Sequence, residues 1–272
     1  MSKILQLSDT HIVREGHRAY GVVDTGAALA EVVEAARRSL PLVGPVDLAV
    51  VTGDLVDYGI EEEYERFKSL MAPLGIPYRA LPGNHDDREM MRSAFAEADW
   101  MPESGPINWV AHLEHFSVIG LDSLVSGAPY GLLEDETLAF LKAELDALSG
   151  KPVLVAMHHP PFATGIEAMD INNLRNAPAL LNLIDTHAGE VRIICGHVHR
   201  NVTRTFGKAI ALIAPGTSHA VTLDQRENDP PHTLSKEPGA FMMHEWRDKG
   251  IVSHQLAGRF VDERSPFDMS LG

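Results

Sequence analysis

The chain has 272 residues, a formal net charge of −15 and one cysteine, proportions of one large globular domain, or a domain with a small appendage, long enough to bury a sizeable core. The acidic balance and the lack of a basic run argue against a protein whose main partner is a nucleic-acid polymer. No stretch approaches the roughly 20 apolar residues of a membrane span, and the lone Cys195, in the apolar run 191–195, excludes an internal disulfide or a thiolate metal cluster.

The first apolar segment, residues 4–7, reads as a strand ending in Ser8-Asp9-Thr10-His11. It is too short for a signal peptide, so a soluble, cytoplasmic protein is expected. Leu29, Val32, Val33, Ala36 and Leu40 recur at helical spacing over residues 25–40, which predicts a helix packed on a sheet. Residues 48–52 form a second short buried strand. Gly53 lets the backbone turn there, and Asp54 emerges at the carboxyl edge of the sheet, where open α/β folds place ligands. A helix over 61–71 follows, with Tyr64, Phe67 and Met71 on one face and Glu61, Glu62 and Glu63 at its N-terminus, where the helix dipole favours them. Strand, helix, strand, helix is the α/β order.

Residues 78–81 predict a third strand. Pro82 and Gly83 then impose a turn that leaves Asn84 and His85 on a strand-end loop, and Asp87 can cap a helix starting near Arg88. Between Trp100 and Gly131 only residues 114–121 read as a strand, among Pro and Gly residues that suggest loops at a pocket rim. Leu138, Leu141, Leu145 and Leu148 predict a helix over 134–148. A buried strand over 153–157 delivers His158-His159 before Pro160-Pro161 stops it. A helix around 177–184 leads to a strand over 191–195 that ends in Gly196-His197-Val198-His199.

Beyond Arg200 helical periodicity fades. Short alternating runs at 201–206, 209–214, 241–246 and 251–256 predict a β-rich closing segment, with a loop over 224–238. The domain reading is a core over residues 1–200, a β-rich segment over 201–258 and a tail over 259–272.

Five strand ends thus deliver Asp9, His11, Asp54, Asn84, His158, His197 and His199, a set of oxygen and imidazole donors without sulfur that suits Mn, Fe, Co or Zn. Seven donors are too many for one ion. They fit two ions about 3.5–4 Å apart that share a carboxylate, the geometry that clamps both oxygens of an in-line phosphoryl displacement. In Asp9-x-His11 and His197-x-His199 the spacing of two points both side chains the same way on an extended segment. A lone Asp after a strand is usually a turn former or helix cap; the ordered recurrence of the pattern is what gives Asp54 its weight. His17, His112, His115, His187, His232, His244 and His254 fit no such pattern and read as surface or structural residues, and His159 as structural support.

In this order the motifs D-x-H, G-D, G-N-H-D, a later His and G-H-x-H resemble those of the calcineurin-like metallophosphoesterase superfamily. His158-His159 before two prolines, the turn Pro215-Gly216-Thr217 and His219 resemble its bacterial class III cyclic nucleotide phosphodiesterases and related glycerophosphodiesterases. The resemblance implies a four-layer α-β-β-α sandwich with a small β-rich C-terminal segment. It implies that Asp9, His11, Asp54 and His199 hold one ion and that Asp54, Asn84, His158 and His197 hold the other, with Asp54 bridging. His85 would stabilise the transition state or protonate the leaving alkoxide, with Asp86 orienting its ring, and Asn84, His85 and His219 would face the substrate. Asp57 would be a loop residue or a support to the ligands.

The implied reaction is hydrolysis of a small phosphodiester by a metal-bound hydroxide. No membrane or nucleic-acid polymer is expected as a partner, and the C-terminal segment resembles a dimerising portion, so a homodimer or higher homo-oligomer is expected. The rival readings are a phosphomonoesterase or nuclease on the same scaffold, and a noncatalytic binding module.

Overall fold

Three short aliphatic runs, Lys3–Leu7 (β1), Leu48–Thr52 (β2) and Tyr78–Leu81 (β3), are joined by the helices Thr25–Val43 (α1) and Glu61–Met71 (α2). Connections of that length let the strands pair in parallel. In the computed structural model, which describes residues 1–226 and 232–262, these strands occupy one half of a five-stranded sheet in the order β13-β12-β1-β2-β3. The other half is an antiparallel hairpin, Ala240–Arg247 (β12) and Gly250–Ala257 (β13), with β12 docked on β1.

A second sheet of six strands has the order β4-β5-β6-β7-β9-β8. Its strands are Trp109–His112 (β4), Ser117–Gly120 (β5), Val153–Ala156 (β6), Val191–Cys195 (β7), Val202–Phe206 (β8) and Ala209–Ile213 (β9). The helices Asp135–Leu148 (α4) and Ala177–Thr186 (α6) cover its outer face.

The period of two along each strand separates the cores. Leu154, Ala156 and Ile194 point into the core shared with the first sheet, while Val153, Val155 and Ile193 point into the core with Leu141, Leu145 and Leu180 of α4 and α6. Two sheets flanked by helices are therefore the observed architecture. Residues 201–258 contribute strands to both: β8 and β9 to the second sheet, β12 and β13 to the first.

Local chemistry sets the helix ends. Asp87, with extended backbone, accepts hydrogen bonds from Glu89 N and Met90 N and starts the helix Arg88–Ala94 (α3). The first helix runs three residues past the expected end, through Pro41, until Gly44 at φ 81° stops it.

Elsewhere the structure departs from expectation. The strand expected over 114–121 is confined to Ser117–Gly120, and it pairs with Trp109–His112, which Pro and Gly neighbours hid from a pattern reading. Inside the loop expected over 224–238, Leu234–Ser235 (β11) pairs with Ala220–Val221 (β10) as a small ribbon. A further short helix is Glu167–Asp170 (α5). Residues 263–272 of the expected tail lie outside the described residues. Among the described residues no helix is long and apolar enough to cross a membrane.

Candidate metal centre

The carboxyl ends of β1, β2, β3, β6 and β7 meet at one edge of the sandwich, and each turns sharply to present side chains. Asp9, His11, Asp54, His197 and His199 all have positive φ, between 43° and 75°. For residues with a Cβ this backbone is strained, and such strain concentrates at sites that need it. Two glycines supply the remaining room. A Cβ on Gly53, at φ 91°, would lie 2.4 Å from His158 Nδ1, and one on Gly83 would lie 2.2 Å from Asp54 Oδ1.

All seven expected ligands converge. Asp9, His11, Asp54 and His199 are buried and place their donor atoms within 4.8 Å of one another. His11 Nε2 lies 3.1 Å from His199 Nε2, 3.5 Å from Asp54 Oδ2, and His199 Nε2 is 3.4 Å from Asp9 Oδ1. On the other side, His158 Nε2 lies 3.3 Å from Asp54 Oδ2 and 3.2 Å from Asn84 Oδ1, and His197 Nδ1 is 3.0 Å from the same Asn84 oxygen. Asp54 Oδ2 therefore belongs to both groups.

Backbone contacts set the ring orientations. His158 donates from Nδ1 to the Thr52 carbonyl at 2.8 Å, which turns Nε2 inward toward Asp54. His11 Nδ1 is 3.1 Å from Asp57 Oδ1, the carboxylate–histidine pairing that orients metal-binding imidazoles.

The donors fit a cation. Asp9 Oδ2 is buried with no hydrogen-bond partner, and two imidazole nitrogens face each other beside it; such a group is costly in a protein interior unless a positive centre sits among them. The local charges respond accordingly. Burial raises the Asp9 carboxyl to about 6. Burial opposes ionisation of Asp54 too, but the adjacent His158 holds it well below the ordinary carboxylate range. Against the same desolvation, Asp54 lifts His158 to about 9. Oxygen and imidazole donors without sulfur are those of Mn, Fe, Co or Zn.

His85 stands half-buried beside this group, its ring edge-on to His11 at 4.6 Å. Its Nδ1 donates to the Asp57 carbonyl at 3.0 Å and lies 3.4 Å from the Asp57 carboxylate. Burial disfavours the charged ring, yet Asp54 and Asp57 together push it up to about 10. The expected orienting role of Asp86 is not what the structure shows. Its carboxylate is turned the other way, accepting from Leu55 N at 3.1 Å, Gly83 N at 2.8 Å and the Tyr64 hydroxyl at 3.0 Å. Asp86 shapes the turn that carries Asn84 and His85, and Asp57 holds the His85 ring.

His219 is buried with its ring 4.5 Å from that of His199, on the wall of a 320 Å³ cavity that opens onto His11, Asp54, Asn84 and His85. Burial lowers it to about 4, so it is neutral near pH 7. Among the further lining residues that sequence patterns missed are Tyr20, Asn172 and His232. Tyr20, also at positive φ, reaches within 5.4 Å of His219 from a loop closed by the Ala19–Val23 bridge. His232, read as a surface residue, lies at this wall as well. His159 has its Nδ1 2.8 Å from Ser123 Oγ and lies beside His158 and His197.

Comparison with known proteins places these features in a family. The chain is 37% identical over 260 residues to the "Probable glycerophosphodiester phosphodiesterase GpdQ" of Arcobacter nitrofigilis, covering 94% of each chain. It is 35% identical over 215 residues to the 3′,5′-cyclic adenosine monophosphate phosphodiesterase CpdA of Pseudomonas aeruginosa, covering 79% of this chain and 75% of that one. The fold is similar to that of a dimetal phosphatase from Danio rerio, with a TM-score of 0.66 at 14% identity over 96% of this chain and 99% of that one. Residues 2–201 match the calcineurin-like phosphoesterase family, and the chain belongs to that family of phosphoester hydrolases.

Proposed function

We propose that the protein is a dinuclear metal-dependent phosphodiesterase acting on small diesters, either glycerophosphodiesters or cyclic nucleotides. The observation that carries this reading is Asp54 Oδ2, 3.5 Å from His11 Nε2 and 3.3 Å from His158 Nε2, one buried carboxylate oxygen common to two donor sets. The relatives support the choice of diesters, since those at 37% and 35% identity bear phosphodiesterase names.

When bound, two transition-metal ions supply positive charge for the phosphate oxygens and make a water acidic enough to attack at neutral pH. The chain supplies the rest. Asn84 and His85, at the end of β3, and His219, beside His199, line the cavity and would face the substrate. With Nδ1 held by Asp57, His85 turns Nε2 to the leaving oxygen and, protonated, donates to the departing alkoxide. A cavity of 320 Å³ suits a small diester, and the net charge of −15 disfavours a polyanionic chain.

The test is hydrolysis of bis(p-nitrophenyl) phosphate against p-nitrophenyl phosphate by protein reconstituted with Mn, Fe, Co or Zn, followed by glycerophosphodiesters and 3′,5′- and 2′,3′-cyclic nucleotides. Preference for the diester supports the reading. A strong monoester preference, or metal-loaded protein inert on every ester, overturns it.

The same reading includes a cytoplasmic homodimer or higher homo-oligomer. The eight-residue strand β13 lies at the edge of its sheet, and such edges favour pairing with another chain. A monomeric mass by light scattering at micromolar concentration contradicts this part.

A further inference from the structure

We infer that Gln6 and His244 form a hydrogen-bonded clamp across the sandwich that sets the separation of the metal-bearing strand ends, an inference that rests on the metal reading above. Gln6 is fully buried on β1, three residues before Asp9. Its Nε2 donates to Thr52 Oγ1 at 3.0 Å and to the Cys195 carbonyl at 3.0 Å. Thr52 ends β2 two residues before Asp54, and Cys195 ends β7 two residues before His197. One amide therefore ties a strand end of the first sheet to a strand end of the second. The Thr52 carbonyl also accepts from His158 Nδ1 at 2.8 Å, so the orientation of a third ligand depends on the same strand end.

The amide has one workable orientation. Thr52 Oγ1 donates its own hydrogen to Ser8 Oγ at 2.8 Å, so toward Gln6 it can only accept. With both Nε2 hydrogens used, Gln6 Oε1 must accept, and His244 Nε2 supplies the proton at 3.0 Å. That assigns the tautomer of His244, which is also fully buried. Its Nδ1 accepts from the Ser253 hydroxyl at 2.8 Å, and Ser253 Oγ accepts from Arg192 Nη1 at 3.0 Å. Burial keeps the ring neutral, lowering it to about 3. A flipped Gln6 amide would turn its NH₂ against the His244 N–H and its oxygen against the Cys195 carbonyl.

The chain of contacts leaves β7 at Arg192, crosses to β13 and β12 of the first sheet, passes through β1 and returns to β7 at Cys195. Apolar residues of similar shape could fill the same space without unpaired groups. What only the polar chain provides is a fixed distance between the two strand ends. Neither Gln6 nor His244 touches substrate; both are positioning residues.

The test is calorimetric titration of metal-depleted protein with Mn²⁺, alongside thermal melts. Gln6→Leu and His244→Leu should each weaken Mn²⁺ binding about tenfold or more, the scale seen when outer supports of metal ligands are lost. His244→Gln, which keeps a donor toward Gln6, should stay within a few-fold of the unsubstituted protein. Leu141→Ala, in the separate core under α4, serves as the control for general loosening. Should Gln6→Leu fail to fold, the comparison of His244→Leu with His244→Gln decides. Leucine variants that bind Mn²⁺ as tightly as the unsubstituted protein, or no more weakly than Leu141→Ala at equal melting temperature, overturn the clamp. Unsubstituted protein that binds no metal would instead overturn the metal centre itself.

Discussion

Asp57 and His11 are joined by a 3.1 Å contact between Oδ1 and Nδ1, and the same carboxylate reaches His85 Nδ1 at 3.4 Å. One side chain thus orients both a proposed metal ligand and the proposed proton donor. Asp57→Asn keeps the shape but exchanges a charged acceptor for a neutral amide. It should lower metal affinity and turnover together, each by about 10–100-fold, as read by Mn²⁺ titration and by kcat on bis(p-nitrophenyl) phosphate. A variant with unchanged affinity and turnover would remove Asp57 from the site.

His85→Ala should separate what Asp57→Asn couples. The ring is not among the seven donors, so metal content by elemental analysis should stay near that of the unsubstituted protein. Turnover should fall by about 10²–10⁴-fold, the range for a lost general acid or base. Loss of metal in this variant would contradict the assigned role.

In metal-free protein His85 is raised to about 10 and His158 to about 9. Burial opposes both shifts; Asp54 drives both, aided at His85 by hydrogen bonds to Asp57. A histidine raised on folding contributes stability that is complete below its unfolded value near 6.5 and is lost as the pH climbs through its folded value. Urea denaturation of metal-free protein should therefore show stability falling between pH 6.5 and 10. Zinc-loaded protein should show a flatter profile and a lower His85 pKa by NMR, because the ions compensate the charge of Asp54. A flat profile in metal-free protein would contradict the charge arrangement.

Asp86→Ala should act on the fold rather than on the chemistry. It leaves the Leu55 and Gly83 amides and the Tyr64 hydroxyl without their buried acceptor, at about 1–3 kcal/mol for each group left unpaired. Chemical denaturation should show the loss, while the pH profile of the remaining activity keeps its shape. A displaced acidic or basic limb would restore a direct role.

The candidate ligands were legible as a converging set because each follows a short apolar strand within a few residues, so the motif and the strand end coincide in sequence. Asp9-x-His11, Gly53-Asp54 and Gly196-His197-Val198-His199 required no tertiary information. Asp57 was not legible in the same way: it meets His11 only because Ile12 and Val56 form a parallel bridge beyond the regular strands. Asp86, adjacent in sequence to His85, looked like its partner, yet the turn directs the carboxylate to Leu55 N and Gly83 N. Tyr20 and His232 lie on segments with no periodicity, and only the fold brings them to the cavity. The β-rich character of residues 201–258 was readable from alternation; their division between two sheets was not, because pairing partners such as β1 and β12 lie more than 200 residues apart.

A carboxylate bridge at Asp54 is visible by anomalous diffraction from crystals of Mn²⁺-loaded protein. Two peaks about 3.5–4 Å apart are expected on either side of Asp54 Oδ2, one beside Asp9, His11 and His199 and the other beside Asn84, His158 and His197. A single peak at saturating Mn²⁺, or two peaks that do not share Asp54, would contradict the bridge.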